Sequence, residues 1–343
     1  MEEDLVKPTG IPFSAIPAAG IHGVGVRALP GNVARLVRGT LAARSILADF
    51  EPEVMLFTGG YVAAPVSVAG RRIPSLLYVP DIEPGLALKF LARFATAIAL
   101  TSADSRQYFS PAARTIVTGY PVRPELVDWQ REAARSHLGL EPDRFTLLVT
   151  GGSKGAQTLN APVFAALQQL LADMQIVHLT GQPDWPSAQA AQASLPAELA
   201  ARYHPMPYLH EMGAALAAAD LAVSRAGASA LGEYPLFGLP AILVPYPFAW
   251  RYQKVNANYL VEHNAGILLE TDHLAQQLVP TVQSLYRNPQ RLHEMRQAMR
   301  GLTRPQAAEH LADLVRELAK DGGAHLGDDA NQGESRNRVQ RER

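Results

Sequence analysis

The chain has 343 residues, of which 48% are hydrophobic and 18% are charged, and its formal net charge is −1. This length allows two domains with substantial cores. The near-zero charge argues against a general nucleic-acid binder, which needs an excess of Lys and Arg. The absence of cysteine excludes disulfides and thiolate metal sites. No apolar run approaches the roughly 18–20 residues that span a bilayer, and the acidic start Met1-Glu2-Glu3-Asp4 is unlike a signal peptide. We therefore expect a cytoplasmic protein.

The first half alternates strand-like and helix-like segments, which predicts an α/β domain with a mostly parallel sheet. The predicted strands are Pro12–Ile16, Val54–Thr58, Pro74–Val79, Thr96–Leu100 and Arg114–Thr118. The predicted helices are Asn32–Phe50 and Pro84–Phe94. The following segment, Trp129–Asp143, is charged and lacks strand character, so we interpret it as a linker to a second domain.

The second half repeats the plan of the first, because LLVTGGSKGA after Phe145 echoes the earlier LFTGGYVAA. Further strands are predicted at Gln175–Leu179, Met206–Leu209, Leu221–Val223 and Ala241–Val244. Helices are predicted at Gln157–Ala172, Ala188–Ala201, Asp272–Tyr286, Gln290–Arg300 and Pro305–Lys320. The tail at residues 321–343 is rich in Gly, Asp, Asn and Arg, a composition typical of disorder.

The stretch Leu221–Asn256 carries the clearest chemical pattern. Small residues after an apolar strand lead into a predicted helix at Ala228 and Ser229, whose free N–H groups suit a phosphate. Glu233 lies about one turn later, where a carboxylate can accept hydrogen bonds from the vicinal hydroxyls of a ribose. Pro235 should kink or end the helix. An ordinary βαβ unit with incidental polar residues fits the same pattern.

The motifs S-R-A-G-A-x-x-x-x-E, G-L-P-A and Q-x-x-N-A in this stretch resemble the donor-site signature of the undecaprenyldiphospho-muramoylpentapeptide β-N-acetylglucosaminyltransferases, which are family 28 glycosyltransferases. The resemblance extends with gaps to about Leu318. It implies a GT-B fold, with two Rossmann-like doubly wound domains facing a cleft. The implied divisions are an acceptor domain (1–128), a linker (129–143), a UDP-sugar donor domain (144–304), a helix returning to the first domain (305–320) and the tail (321–343).

The resemblance also implies roles for individual residues in donor binding. Glu233 matches the ribose-binding carboxylate, Gln253 the amide that reads the sugar hydroxyls, and Asn256 lies at the same helix start. The backbone of Leu209 would read the uracil edge, and Arg123 would reach the donor phosphate. Without the resemblance, Leu209 indicates a core position and Arg123 a surface arginine. The diphosphate would meet the two turns that carry Gly152, Ser153, Lys154, Arg225, Ala228 and Ser229. The first of these turns also fits a simple tight β–α connection.

The acceptor side is less complete in this sequence. Gly59, Gly60 and Tyr61 match the family's second glycine loop, whose amides would meet the acceptor's diphosphate. In the family a first strand, a glycine-rich loop with a proposed catalytic His and a helix precede the segment that matches Met1–Val6. We therefore expect an N-terminal truncation of on the order of forty residues relative to the family.

The catalytic base is predicted at Asp81 or Glu83, which stand where the family shows a His-Glu-Gln-Asn-like run. Inverting transfer needs a base to take the proton of the attacking hydroxyl. The same D-x-E-P run also fits a helix N-cap arrangement. Farther upstream, Gly20–Phe50 mixes apolar residues with Arg27, Arg35, Arg38 and Arg44. This segment suits either anionic lipid headgroups or a core-facing amphipathic helix with solvated arginines.

Together, these matches predict an enzyme that transfers N-acetylglucosamine from its UDP donor to the muramoyl C4 hydroxyl of lipid I, with inversion and without a metal or other cofactor. The expected partners are the UDP-sugar, a polyprenyl-diphosphate acceptor and an anionic membrane at the cytoplasmic face. Alternatives are another UDP-sugar lipid transferase of this fold, a UDP-sugar epimerase and a non-catalytic nucleotide-sugar-binding remnant. No nucleic-acid partner is expected.

Overall fold

A computed structural model describes residues 3, 6–19, 29–152, 155–246 and 252–321. The predictions for Arg27, Ser153, Lys154 and residues 322–343 lie outside this range. The chain divides into two compact units. The first comprises Met1–Val79, Pro84–Val117 and Glu309–Arg343, and the second comprises Pro80–Glu83 and Thr118–Ala308.

The first unit is built on a four-stranded parallel sheet in the order β1-β2-β3-β4. Its strands are β1 (Met55–Phe57), β2 (Ser75–Val79), β3 (Ala97–Leu100) and β4 (Thr115–Val117). Its helices are α1 (Leu29–Phe50), α2 (Ala63–Ala69) and α3 (Leu86–Leu91). Strands β2 and β3 are buried throughout, as expected for parallel strands covered on both faces.

The second unit contains a six-stranded parallel sheet in the order β10-β9-β8-β5-β6-β7. The chain turns back at β8, so the order reverses between β5 and β8, where ligands bind in open α/β sheets. The strands are β5 (Thr146–Thr150), β6 (Gln175–Leu179), β7 (Tyr203–Met206), β8 (Leu221–Ser224), β9 (Ala241–Leu243) and β10 (Gly266–Leu268).

Helices flank this second sheet, and their apolar residues form its main core. Leu159, Val163 and Leu167 of one helix pack with Leu147 and Val149 of β5. The helices are α4 (Arg131–His137), α5 (Gln157–Leu171), α6 (Trp185–Ala193), α7 (Ala197–Ala200), α8 (Met212–Ala218), α9 (Glu233–Phe237), α10 (Tyr252–Glu262), α11 (Leu274–Tyr286) and α12 (Pro289–Gly301).

A last helix, α13, occupies residues 307–321. From Glu309 onward it belongs to the first unit. There its Leu311 and Leu318 pack against Leu76 and Tyr78 of β2. Arg114 and Glu317 add an exposed ion pair at 2.6 Å.

Four sequence-based predictions are corrected by the structure. Pro12–Ile16 is not a strand, although its apolar residues suggested one. The supposed linker Trp129–Asp143 contains α4 and belongs to the second unit, because buried Arg135 ties it to Asp220. The strand predicted at Met206–Leu209 lies earlier, at Tyr203–Met206, where it pairs with β6. The long helix predicted at Ala188–Ala201 is divided into α6 and α7.

Candidate functional site

A cavity of about 330 Å³ lies at the carboxyl edge of the second sheet. Its wall includes Thr150 at the end of β5, Leu179 at the end of β6 and Ser224 at the end of β8. Seven of the predicted donor residues line this donor cavity, namely Arg123, Gly152, Leu209, Arg225, Ser229, Glu233 and Gln253. Residues far apart in the chain therefore meet where the strand order reverses.

The turn after β5 forms one wall of the cavity and requires glycine. Gly152 and Gly155 have φ values of 89° and 71°, in the left-handed region that favours glycine. A Cβ at Gly155 would lie 2.2 Å from the Thr180 carbonyl oxygen, so no larger residue fits there. The backbone of this turn is thereby held against the end of β6.

The predicted phosphate-facing helix start is shorter than the sequence suggested. Ala228–Leu231 forms a 3₁₀ turn, Gly232 interrupts it, and α9 begins at Glu233. Pro235 lies within α9, which ends after five residues at Gly238 in the left-handed conformation. Ser229 lines the cavity, whereas Ala228 does not.

Glu233 is half-buried at the cavity, and burial raises its pKa. The positive charge of Arg123 opposes this shift. Tyr120 lies beside them, because a Cβ at Gly232 would come within 2.5 Å of its ring. The pKa of Tyr120 is raised mainly by burial and further by the charges of Glu233 and Asp81. These four ionisable groups therefore share one electrostatic environment.

Gln253 and Leu209 complete the polar and apolar parts of the wall. Gln253 Oε1 accepts a hydrogen bond from the Tyr246 N–H at 2.9 Å, so its Nε2 is the group that remains to donate to a ligand. Leu209 follows β7 and is half-buried beside exposed Tyr208. Its position beyond the strand leaves its backbone without sheet partners.

Arg225 lines the cavity, but its guanidinium is held by the protein. Nη1 donates to the Val244 carbonyl at 2.8 Å and the Pro245 carbonyl at 3.2 Å, and Nη2 contacts Thr158 Oγ1. The residue is 8% exposed, and burial lowers its pKa. No ion pair joins it to a carboxylate among the described residues. Arg225 thus places a buried, uncompensated positive charge at this edge, which favours an anionic ligand.

Asn256 does not line the cavity, because it is fully buried and its amide is used elsewhere. Its Oδ1 accepts from the Ile82 N–H at 3.0 Å, and its Nδ2 donates to Asp81 Oδ1 at 2.8 Å and to the Ala226 carbonyl at 3.1 Å. Asn256 therefore positions the segment Pro80–Glu83 and the turn after β8. Its predicted role in donor binding stays a prediction.

The two candidate bases have different surroundings. Asp81 is half-buried, and burial raises its pKa while the Asn256 hydrogen bond opposes the rise. Glu83 is 3% exposed and already has an interaction partner. Asp81 is thus the more accessible carboxylate of the pair.

The predicted acceptor loop lies in the first unit, directly after β1. Gly59 and Gly60 have φ values of 114° and 82°, so the chain uses their conformational freedom in this turn. Tyr61 is 55% exposed. The turn leads into α2.

Other cavity residues were missed by the sequence analysis. Gly181 lies two residues after the predicted strand Gln175–Leu179, so its place at the carboxyl edge could have been inferred. Tyr208, Met212 and Tyr234 also line the cavity, but nothing in their local sequence distinguishes them from core or surface residues.

A buried hydrogen-bond network lies beneath the cavity. His178 Nε2 is 3.0 Å from Asn160 Oδ1, and His178 Nδ1 is 2.9 Å from the Tyr203 hydroxyl. Asn160 Nδ2 donates to the Thr180 carbonyl at 2.8 Å and to Asp184 Oδ2 at 2.8 Å. Burial lowers the pKa of His178 to about 3, so the ring is neutral. The network fixes the turn that leads to Gly181.

Within the described residues, no three His, Asp or Glu side chains converge as metal ligands. Among the described helices, none combines the length and hydropathy needed to cross a bilayer.

The fold is that of a GT-B glycosyltransferase. The crystal structure of Acinetobacter baumannii MurG aligns with a TM-score of 0.75 at 28% identity, covering 92% of this chain and 88% of that one. The sequence also matches the glycosyltransferase family 28 N-terminal domain over residues 1–100 and the C-terminal domain over residues 146–311. The chain therefore belongs to glycosyltransferase family 28.

Curated relatives are similar to this protein over most of its sequence. A UDP-N-acetylglucosamine–N-acetylmuramyl-(pentapeptide) pyrophosphoryl-undecaprenol N-acetylglucosamine transferase of Roseiflexus sp. (strain RS-1) is 40% identical, covering 93% of this chain and 81% of that protein. The protein of the same name from Desulforudis audaxviator is 38% identical, covering 94% and 88%.

Proposed function

We propose that this enzyme transfers N-acetylglucosamine from UDP-N-acetylglucosamine to undecaprenyl-diphospho-muramoylpentapeptide, which converts lipid I to lipid II in peptidoglycan synthesis. The observation that carries this proposal is the donor cavity, where Glu233 and Gln253 meet beside two β–α turns. The named relatives, similar over nearly the whole chain, support the same reaction.

The cavity suits each part of the donor. The Glu233 carboxylate accepts hydrogen bonds from the ribose hydroxyls, and Gln253 Nε2 donates to the sugar. The uridine lies near Leu209, where backbone groups follow the end of β7. The diphosphate lies between the Gly152 turn and Ser229, where backbone N–H groups and the Arg225 charge stabilise it. Arg123 adds an exposed cation at the same wall.

The reaction that we propose is an inverting displacement in which protein groups, and not a metal ion, stabilise the leaving group. The acceptor hydroxyl attacks the anomeric carbon as the bond to the UDP oxygen breaks. The turn amides and arginines stabilise the charge that develops on the departing diphosphate.

Asp81 is the base that we propose for the attacking hydroxyl. Asn256 holds one oxygen of its carboxylate, which leaves Oδ2 to take the proton. Its raised pKa makes it a stronger base than an ordinary aspartate. Glu83, buried and already engaged, serves the segment's structure instead.

The acceptor's diphosphate would meet the amides at Gly59 and Gly60, next to exposed Tyr61. Helix α1 supports contact with the membrane in which such an acceptor resides. Val33, Val37 and Leu41 form an exposed apolar stripe at a spacing of four residues, and arginines 35, 38 and 44 are exposed on the same helix. This combination fits a peripheral contact with anionic lipids at the cytoplasmic face of the plasma membrane.

The test is UDP release from UDP-N-acetylglucosamine with and without a lipid I analogue. We expect release only with the acceptor, and Asp81→Asn should lower kcat by roughly a hundredfold or more while UDP affinity is retained. Glu83→Gln is the matched control, with kcat near wild type. Equal kcat values for Asp81→Asn and wild type would remove Asp81 as the base.

The same assay separates the alternatives. Turnover with a different lipid acceptor would indicate another UDP-sugar transferase. Binding of the donor with no turnover would indicate a non-catalytic protein. Conversion of the sugar without any acceptor would indicate an epimerase.

A further inference from the structure

A second cavity, of about 340 Å³, lies at the opposite, amino edge of the second sheet. It is bounded by α4, the end of α8, the end of α9 and α12. Two lining residues show this position, since Ala219 lies just before β8 and Gly238 lies just before β9. Among the described residues, none lines both this cavity and the donor cavity.

The charges around this amino-edge cavity are unbalanced. Arg131, Arg296 and Arg300 line it, and among the residues that the structure describes no acidic side chain does. The neighbouring carboxylate, Asp220, is already occupied. Its Oδ1 lies 2.7 Å from Arg131 and 3.9 Å from Arg296, and its Oδ2 accepts from Arg135 and the Thr146 N–H, each at 2.8 Å.

One carboxylate therefore faces several guanidinium groups, and the cavity keeps a positive excess. Burial lowers the pKa of Arg296, the charges of Arg131 and Arg300 lower it further, and Asp220 offsets part of this. Arg300 forms no ion pair among the described residues. A ligand with negative charge would relieve this repulsion.

Apart from the arginines and Gln130, the wall is apolar. Trp129, Leu236 and Phe237 are half-buried, Leu216 is buried, and Val127 is 53% exposed. Pockets that combine such a wall with a few convergent polar groups are typical of small-molecule sites. Arginine forks match phosphate geometry in particular.

We propose that the amino-edge cavity binds a small ligand that carries a phosphate group and an aromatic or other apolar portion. The phosphate lies against Arg296 and Arg300, and the apolar portion lies against Trp129 and Phe237. This inference is independent of the reaction at the donor cavity.

The test is calorimetric titration of the full chain with phenyl phosphate, in saturating UDP so that the donor cavity is occupied. We expect one saturable site. Inorganic phosphate should bind more weakly, and neutral benzyl alcohol should not bind measurably. The double variant Arg296→Gln/Arg300→Gln should weaken phenyl phosphate binding by roughly tenfold or more. Arg291→Gln is the matched control, because Arg291 lies on the same helix but outside the cavity.

The single variant Arg300→Gln protects the test against misfolding, since this exposed side chain has no ion pair to lose; it should weaken binding several-fold. Unchanged binding in both variants would overturn the site. Full competition, in which the apparent affinity for phenyl phosphate falls in proportion to the UDP concentration without reaching a limit, would assign the binding to the donor cavity instead. Equal affinity for inorganic phosphate would overturn the apolar portion of the proposal.

Discussion

The two edges of the six-stranded sheet treat polar side chains in opposite ways. At the amino edge, Asp220 is surrounded by donors from Arg131, Arg135 and the Thr146 backbone, so its charge holds elements of the fold together. At the carboxyl edge, Glu233 and Gln253 line an open cavity and keep groups available to a ligand. A polar residue near a strand end is thus either part of the framework or part of a site, and its remaining hydrogen-bonding capacity distinguishes the two.

The largest effect should come from breaking the amino-edge framework. Asp220→Ala leaves Arg135, whose side chain is 2% exposed, without its counter-charge. We expect the free energy of unfolding of the second unit to fall by about 3–5 kcal/mol, because a buried charge is left unpaired. Urea denaturation measures this.

Glu317→Ala is the control for that experiment. It removes the exposed Arg114–Glu317 pair, whose side chains are 45% and 49% exposed, and should cost less than about 1 kcal/mol. A similar small cost for Asp220→Ala would show that the amino edge is not held by this carboxylate.

A second prediction concerns the network beneath the donor cavity. His178 has a pKa of about 3 in the folded protein against 6.5 for an ordinary histidine. The unfolded chain therefore binds a proton that the folded one does not, and stability present above pH 6.5 is lost as the pH falls toward 3. His178→Leu should make the fall in unfolding free energy shallower by about 1.4 kcal/mol per pH unit in this window. Parallel pH profiles for variant and wild type would contradict the neutral, buried ring.

At the carboxyl edge, substitution should change kinetics rather than stability. Glu233→Gln removes the charge proposed to bind the ribose. The KM for UDP-N-acetylglucosamine should rise by about tenfold or more, because hydrogen bonds to a charged group are worth about 1.5–3 kcal/mol. Glu211→Gln, which is exposed and outside the cavity, should leave KM unchanged. An unaltered KM for Glu233→Gln would place the ribose elsewhere.

The smallest effect is a displacement of a pH profile. Because burial raises the pKa of Glu233, the donor's KM should increase as the pH falls through that raised value. The Arg123 charge lowers the pKa of Glu233. In Arg123→Gln the increase in KM should therefore begin at a higher pH. An increase that begins at the same pH, measured at constant ionic strength, would show that the two groups do not interact in solution.

Much of the fold was predictable, because buried parallel strands are continuous apolar runs. Strand β6 was predicted with the bounds that the structure shows, and the predicted glycine turns after β1 and β5 adopt positive φ values. Predictions from local sequence pattern were wrong where contacts between distant parts of the chain determine the structure. The charged segment at 129–143 contains helix α4 and belongs to the second unit, where Arg135 pairs with Asp220 far along the chain.

The sequence was enough to predict where the site residues lie, but not which hydrogen bonds their side chains form. The carboxyl-edge rule and the resemblance brought Glu233, Gln253 and Gly152 to one cavity. They could not show that the Asn256 amide donates to Asp81 and to the Ala226 carbonyl, or that the Arg225 guanidinium donates to the Val244 carbonyl. Those choices depend on side-chain geometry that spacing does not encode.

Helix α9 contributes a residue to each of the two cavities. Its first residue, Glu233, lines the donor cavity, and its last, Phe237, lines the amino-edge cavity. Four residues of helical rise separate their backbones by only about 6 Å. An occupant that displaces α9 as a rigid body at Phe237 would also displace the Glu233 carboxylate. By thermodynamic reciprocity, each ligand would then change the other's affinity by the same factor.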